Sequence, residues 1–339
     1  MKLKTGVLGA TGLVGREIIN VLYNRHFPIE SLRLYASERS AGKTLETPFG
    51  RIEIENADNA GYSGLELAFF AIGHDWPKAN AGKATDAGCT VIDNSSTFRY
   101  DADVPLVVPE INPEAIGDAK LIANPNCTTA IAAIPLWHIY KHFGLREVRI
   151  STYQAASGAG REAMEELEEE TRNALDGREA GHNVFQYPLP FNLIPQIDAF
   201  QPNEYTREEM KVVWETRKIL GDDAISIECI CVRVPIMRAH SESISVKTRE
   251  PVDLERLTEI LGHAEGVELR DKPEQNIYPM PLTATGKYNV EIGRIRRSLI
   301  DGDYGVSFFV CGDQLLKGAA LNAVQIGELV AARYGQRGA

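Results

Sequence analysis

The stretch that most narrows what this chain can fold into lies near its start. Thr5-Gly6-Val7-Leu8-Gly9 reads as the end of a strand, and Leu13 to Asn24 places Val14, Ile18, Val21 and Leu22 on one side of a helix. Gly9-Ala10-Thr11-Gly12-Leu13-Val14-Gly15 joins the two. A glycine-rich turn from strand to helix lets backbone N–H groups approach a pyrophosphate at the helix N-terminus, and a glycine one turn in permits close packing on a sheet. The spacing, G-x-x-G-x-x-G, departs from the commoner G-x-G-x-x-G, so the dinucleotide reading rests on the turn's position between strand and helix. The next strand, Leu32 to Ala36, runs into Ser37-Glu38-Arg39-Ser40. NAD enzymes often present a carboxylate to the ribose there, and Glu38 keeps NAD open. Arg39 flanked by hydroxyl side chains suits a 2′-phosphate, so NADP is the expected cofactor.

Leu67 to Ile72 is a buried-strand run, Trp76 to Ala87 is helix-like, and Thr90-Val91-Ile92-Asp93 is a strand ending in Asn94-Ser95-Ser96. This alternation predicts a parallel sheet whose carboxyl ends share one rim with the glycine turn, Ser37 to Ser40, and Asn94 to Arg99. Leu121-Ile122-Ala123 then leads through Asn124-Pro125-Asn126, a turn signal, to Cys127 at the start of a helical segment, Thr128 to His142. Cys127 belongs to the same rim. The positive end of a helix dipole favours thiolate over thiol, one way to make cysteine a nucleophile at neutral pH, although free cysteine more often behaves as a small buried hydrophobe.

At 339 residues the chain has room for two domains. Past about residue 130 the pattern turns α+β. Strands are expected at Arg146 to Gln154, Ile225 to Val234, Ser241 to Thr248, Val290 to Arg297 and Tyr304 to Cys311. Helices are expected at Gly158 to Leu175, Glu204 to Leu220 and Leu254 to His263, with a last one, Leu315 to Arg333, returning to the first sheet. The expected division is 1–130, completed by 314–335, against 131–313. The acidic run Glu165 to Glu170 reads as a solvated helix face. With 44% hydrophobic and 24% charged residues, no apolar run long enough to span a bilayer and no secretory signal, the chain is expected to be soluble and cytoplasmic. Five scattered cysteines without a C-x-x-C pair suggest neither a disulfide framework nor a metal site. A net charge of -11 argues against nucleic acid and requires locally placed cations to meet any anionic substrate.

Three further features carry chemistry. Tyr153-Gln154-Ala155-Ala156-Ser157-Gly158-Ala159-Gly160 is a small-residue turn with Gln154 its one large polar side chain. Cys231 to Ser243 puts Arg233 at a strand end and His240 just past a turn, and histidine suits a general base near neutrality even though a lone histidine is more often structural. Glu208 and Lys211 are i and i+3 on one helix face, which by itself reads as a surface ion pair.

Taken together, GATGLVG, PNCTT around Cys127, YQAASGAG, EEMK and CVRVPIMRAHSES resemble the aspartate-semialdehyde dehydrogenase family, from Lys4 to the terminal helix. The resemblance implies a Rossmann NADP-binding domain followed by an α+β catalytic and dimerisation domain similar to that of glyceraldehyde-3-phosphate dehydrogenase, assembled as a homodimer or tetramer. It implies Cys127 as nucleophile, His240 as acid/base and Gln154 as orienting the substrate. Arg233 and Glu208 would hold the amino acid's carboxylate and amino groups. Arg99 and Lys211 would bind phosphate, with Asn126 shaping the site. NADP would be held by the turn from Gly9 through Thr11, Gly12, Leu13 and Val14, by Ser37, Arg39 and Ser40, and by Ser157, Gly158 and Gln314. The implied reaction reduces L-aspartyl 4-phosphate to L-aspartate 4-semialdehyde and phosphate, on the route to lysine, threonine and methionine. Three alternatives fit less well. N-acetyl-gamma-glutamyl-phosphate reductases generally place their cysteine in a Gly-Cys-Tyr-Pro-like context, a malonyl-CoA reductase needs a coenzyme A site, and a non-enzymatic NADP-binding regulator needs no activated thiol.

Overall fold

The computed structural model describes residues 1–73, 75–179 and 181–337. It divides into two compact units, residues 1–126 together with the chain from Ala319 onward, and Cys127–Gly318.

The first unit is built on a seven-stranded sheet. Its elements are β1 (Leu3–Leu8), α1 (Leu13–Asn24), β2 (Ile29–Ala36), β3 (Thr44–Thr47), β4 (Gly50–Asn56), β5 (Leu67–Phe70), α2 (Trp76–Asp86), β6 (Thr90–Asp93) and β7 (Leu121–Ala123). The order is β3-β4-β2-β1-β5-β6-β7. All neighbours are parallel except β3 and β4, which form an edge hairpin. β5 and β6 are buried at every position, as strands covered on both faces must be, which is why they read as unbroken apolar runs. The hairpin was not anticipated: Leu45, Ile52 and Ile54 alternate with charged residues, a pattern too dilute to stand out. Strand order reverses about β1, so the β1–α1 turn lies at the topological switch point where such sheets bind ligands.

The second unit contains α3 (Cys127–Phe143), β8 (Glu147–Gln154), α4 (Arg161–Leu175), α5 (Arg207–Leu220), β9 (Ser226–Arg233), β10 (His240–Lys247), α6 (Leu254–Gly262), β11 (Val267–Leu269), α7 (Pro281–Ala284), β12 (Val290–Ser298) and β13 (Gly302–Gly312). Its sheet has the order β11-β12-β13-β10-β8-β9. α5 packs on β9, and α3 on β12 and β13. Because α3 runs unbroken from Cys127, the units part before that residue and not at 130, inside the helix. β8 and β9 are parallel and finish together at Gln154 and Arg233, which are register partners. β10 runs the other way and starts at His240, opposite Gly312. One end of the sheet therefore gathers three polar side chains.

The acidic run on α4 is not wholly solvated, contrary to expectation. Glu166 accepts the backbone N–H groups of Asn183, Val184 and Phe185, and Glu170 is buried with its carboxylate on the Leu189 N–H.

The terminal helix starts later than its composition suggests. Leu316–Ala320 forms a wide π-type turn and α8 (Leu321–Arg337) follows. Within the first unit α8 packs on α1, where Arg25 pairs with Glu328 at 2.7 Å. Asn322 donates to Asn124 Oδ1 at 2.7 Å and to the Val107 carbonyl at 2.9 Å.

Candidate active site

In the first unit the cofactor turn is shaped by what its glycines lack. Gly9 has φ +85°, and a β-carbon there would lie 2.4 Å from the Ala71 carbonyl oxygen; one on Gly15 would lie 2.1 Å from that of Gly9. The N–H groups of Gly9 and Ala10 both go to the Tyr35 carbonyl, so Gly9 bends the chain and offers no donor. Gly12 caps α1 without a side-chain hydrogen bond, and no acidic residue stands in the first turn. That helix end suits an anion. Thr11, Leu13 and Val14 are half-buried around the exposed Gly12, while Ser37 and Arg39 are exposed beside the half-buried Ser40. At the end of β6 the buried Asp93 carboxylate accepts both the Ser95 hydroxyl at 2.6 Å and its N–H at 3.1 Å, ordering the loop that carries Arg99. Burial raises the Asp93 pKa against those bonds. Arg99 is buried and donates to the Asn94 carbonyl at 2.8 Å; Asn126 is buried as well.

In the second unit Cys127 is the first residue of the 17-residue α3 and is half-buried. The other four cysteines are buried, and burial pushes the thiols of Cys89 and Cys311 up to about 12. Their bulk reactivity is therefore suppressed, which singles out Cys127. Gly318 lies against it, where a β-carbon would come within 2.9 Å of Cys127 Cβ.

His240 is fully buried, and its Nδ1 accepts the Ala155 N–H at 3.0 Å. A backbone N–H is always a donor, so the neutral ring carries its proton on Nε2. Nε2 has no hydrogen-bond partner among the described residues. Burial, then the nearby Arg233 charge, lowers the His240 pKa to about 3, so the imidazole is neutral. Gly158 keeps the space over this nitrogen open: a β-carbon would stand 3.1 Å from His240 Nε2 and 2.9 Å from Arg233 Nη1. Arg233 is itself buried, donates to the Ala155 carbonyl at 2.6 Å and lies over the Phe185 ring. Burial lowers its pKa, while the Glu208 carboxylate and a Cys127 thiolate favour the charged form.

Glu208 and Lys211 are not a surface pair. Glu208 is buried and Lys211 nearly so; the ammonium holds Glu208 at 3.0 Å and Asp198 at 2.8 Å. Burial works against the Lys211 charge, but these two carboxylates outweigh it and its pKa is raised. Gln154 donates to the other Glu208 oxygen at 3.2 Å and accepts from Thr152 at 3.0 Å. Neighbouring Glu209 instead forms a capping box with Thr206 and accepts the Cys231 N–H. Asp198, on a loop without periodicity, and the Ala155 backbone were missed, since neither carries a sequence signal. Ser157 and Gln314 are both buried and hydrogen-bond each other. Among the described residues no group of three or more His, Cys, Asp or Glu is placed to hold a metal, and no helix is long and apolar enough to cross a membrane.

Comparison with known proteins agrees along the whole chain. A family model described as the semialdehyde dehydrogenase NAD binding domain matches residues 4–119, and one for the semialdehyde dehydrogenase dimerisation domain matches 136–317. The first unit is thus a nicotinamide-cofactor domain. The chain is 43% identical to an aspartate-semialdehyde dehydrogenase of Synechocystis over 98% of both chains, and 44% identical to one of Aquifex aeolicus over 97% of this chain and 98% of that one. The crystal structure of aspartate semialdehyde dehydrogenase II from Vibrio cholerae complexed with ASA superposes with a TM-score of 0.95 at 41% identity, covering 98% of this chain and 99% of that one. A Candida albicans aspartate semialdehyde dehydrogenase with NADP gives 0.76 at 25%, covering 98% and 99%. Switch-point glycines, a half-exposed cysteine heading a helix and a buried histidine and arginine coincide with this similarity, and the chain belongs to the aspartate-semialdehyde dehydrogenase family.

Proposed function

We propose that the chain catalyses the NADPH-dependent reductive dephosphorylation of L-aspartyl 4-phosphate to L-aspartate 4-semialdehyde, in the synthesis of lysine, threonine and methionine from aspartate. The observation that carries this reading is Cys127, half-exposed at the first residue of α3 while the other thiols are buried. The helix end and the Arg233 charge favour its thiolate. That thiolate attacks the acyl carbon, forming a C–S bond; the C–O bond to phosphate breaks and phosphate leaves. His240 enters as a neutral Nε2–H donor, steadies the oxygen that gains charge, and exchanges a proton with it as the tetrahedral species forms and collapses. NADPH, when bound, supplies the hydride that reduces the thioester. Cys127 then departs as thiolate while the carbonyl re-forms as the aldehyde.

Arg233 holds the substrate carboxylate and Glu208 its amino group, and Gln154, bonded to Glu208, orients it. Lys211 and Arg99 take the phosphate, with Asn126 shaping the site. The uncapped end of α1, with Thr11 to Val14, receives the pyrophosphate, and Arg39 with Ser37 and Ser40 takes a 2′-phosphate, which favours NADP over NAD; the relative solved with NADP supports that choice. A homodimer through the second unit accords with the dimerisation-domain match and with Tyr153 and Ile230 exposed on its sheet. Five free thiols suit the cytoplasm. Mixing the protein with aspartate semialdehyde, phosphate and NADP⁺ should produce reduced nicotinamide absorbance that depends on all three. Absorbance that rises equally without phosphate would refute the reading.

A further inference from the structure

The residue before His240 is held in an unusual backbone conformation. Ala239 is fully buried at φ +72°, the left-handed region that a β-carbon disfavours, so its surroundings must hold it there. The Ala239 N–H donates to Gln314 Oε1 at 2.8 Å, and Gln314 Nε2 donates to the Ser157 hydroxyl. The turn containing Ser157 grips the histidine from its other side through the Ala155 N–H on Nδ1. The same turn is stitched to the run before His240, Ala156 N–H to the Ile236 carbonyl at 2.8 Å and Ser157 N–H to that of Met237 at 3.2 Å. A hydrogen-bonded ring thus closes through Ala155, Ser157, Gln314, Ala239 and His240. Gln314 is fixed from behind as well. Asp313, fully buried, accepts the N–H groups of Leu315 at 3.0 Å and Gly286 at 2.7 Å and pairs with Arg238 at 2.8 Å.

We propose that Gln314 is a positioning residue for His240: by holding the left-handed Ala239 peptide it keeps the imidazole with Nδ1 on the Ala155 N–H and the proton on Nε2. The resemblance assigns Gln314 to the cofactor, yet each end of its amide already serves the protein, and the side chain is 2% exposed. The proposal rests on the reading in which His240 Nε2 acts on the reacting atoms.

Three variants test it, read by kcat, the Michaelis constant for NADP⁺ and the pH profile of kcat. Gln314→Met keeps length and loses the acceptor. It should lower kcat by about 10- to 100-fold, the scale of a misplaced catalytic group. It should also move the acidic limb of the profile upward, because a released and rehydrated imidazole titrates nearer its ordinary value, while leaving the Michaelis constant for NADP⁺ within about threefold. Gln314→Glu keeps an acceptor for the Ala239 N–H and should recover part of the kcat that Gln314→Met loses. If Gln314→Met does not fold, as judged by circular dichroism, Ser157→Ala, which removes only the outer hold, should shift kcat and the acidic limb in the same directions by less. A raised Michaelis constant for NADP⁺ with kcat and the acidic limb unmoved, in whichever of these two folds, overturns the proposal. His240→Asn, run in parallel, separates the two claims. If it retains parental kcat, the assignment of His240 to the reaction fails. If it is inactive while Gln314→Met behaves as the parent, only the positioning role fails.

Discussion

The two units make binding surfaces in opposite ways. In the first, the cofactor turn consists of backbone and omitted β-carbons, and the side chains around it are half-buried, as at Thr11, Leu13 and Val14, or exposed, as at Arg39. In the second, Gln154, Glu208, Lys211, Arg233 and His240 are buried or nearly so, and hydrogen bonds tie them to one another or to the backbone around them. A site made of backbone and space can be altered one contact at a time. A site of interlocked buried charges cannot, because removing one partner strands the next in a medium that penalises an unpaired charge.

The largest effect that would sharpen this contrast is on Cys127. Cys127→Ser should lower kcat by several orders of magnitude and leave NADP⁺ binding, measured by fluorescence titration, nearly unchanged. A loss of only a few-fold would remove the nucleophile from the second unit. Next come Glu208→Ala and Lys211→Ala. A surface pair would cost at most about 1 kcal/mol, whereas breaking a buried one costs about 3–5 kcal/mol, readable as a lowered urea midpoint. In kinetics they should cross over: Lys211→Ala raises the Michaelis constant for phosphate more, Glu208→Ala that for aspartate semialdehyde. Identical patterns would mean that the pair supports the fold alone. Arg39→Ala acts on an exposed residue. It should raise the Michaelis constant for NADP⁺ by about tenfold, that for NAD⁺ hardly at all, and leave the urea midpoint in place. Equal effects on both cofactors would break the assignment of Arg39 to the 2′-phosphate.

The smallest expected effect is a slope. His240 has a folded pKa near 3, below its ordinary value of about 6.5 in the unfolded chain, so below pH 6.5 the unfolded state binds more protons. Its contribution to stability is present in full above that pH and is lost as pH falls toward 3, by up to about 1.4 kcal/mol per pH unit. His240→Asn should therefore lose less stability than the parent between pH 6.5 and 4 in urea titrations. Parallel curves would mean that the imidazole is not held neutral by the fold.

Sequence reading fared differently in the two units for the same physical reason. The cofactor turn is local: strand, glycine spacing and helix follow one another within Leu3 to Asn24, and α1 lies where its periodicity placed it. β6 and the start of α3 were legible for the same reason. The polar cluster of the second unit is assembled by register, with Gln154 beside Arg233 on β8 and β9 and His240 opposite Gly312 on β10 and β13. No local pattern carries that, so its roles came from resemblance. Composition is equally silent on burial. Glu208 and Glu209 are adjacent and chemically identical, yet one meets Lys211 and Gln154 and the other caps its own helix.

The return of α8 to the first unit sets a timetable for synthesis. Asn322 reaches Asn124 and Val107, so a sheet made before the second unit is completed by residues made after it. At about 5–20 residues per second, the ribosome takes roughly 10–40 s to add Cys127 to Gly318. For that interval the nascent nucleotide sheet waits with α1 uncovered on the side that α8 will occupy. The chain's exposure to aggregation and to chaperones during that interval is therefore written into the order of its elements, and a premature stop just before Leu321 would leave a finished second unit attached to an unfinished cofactor domain.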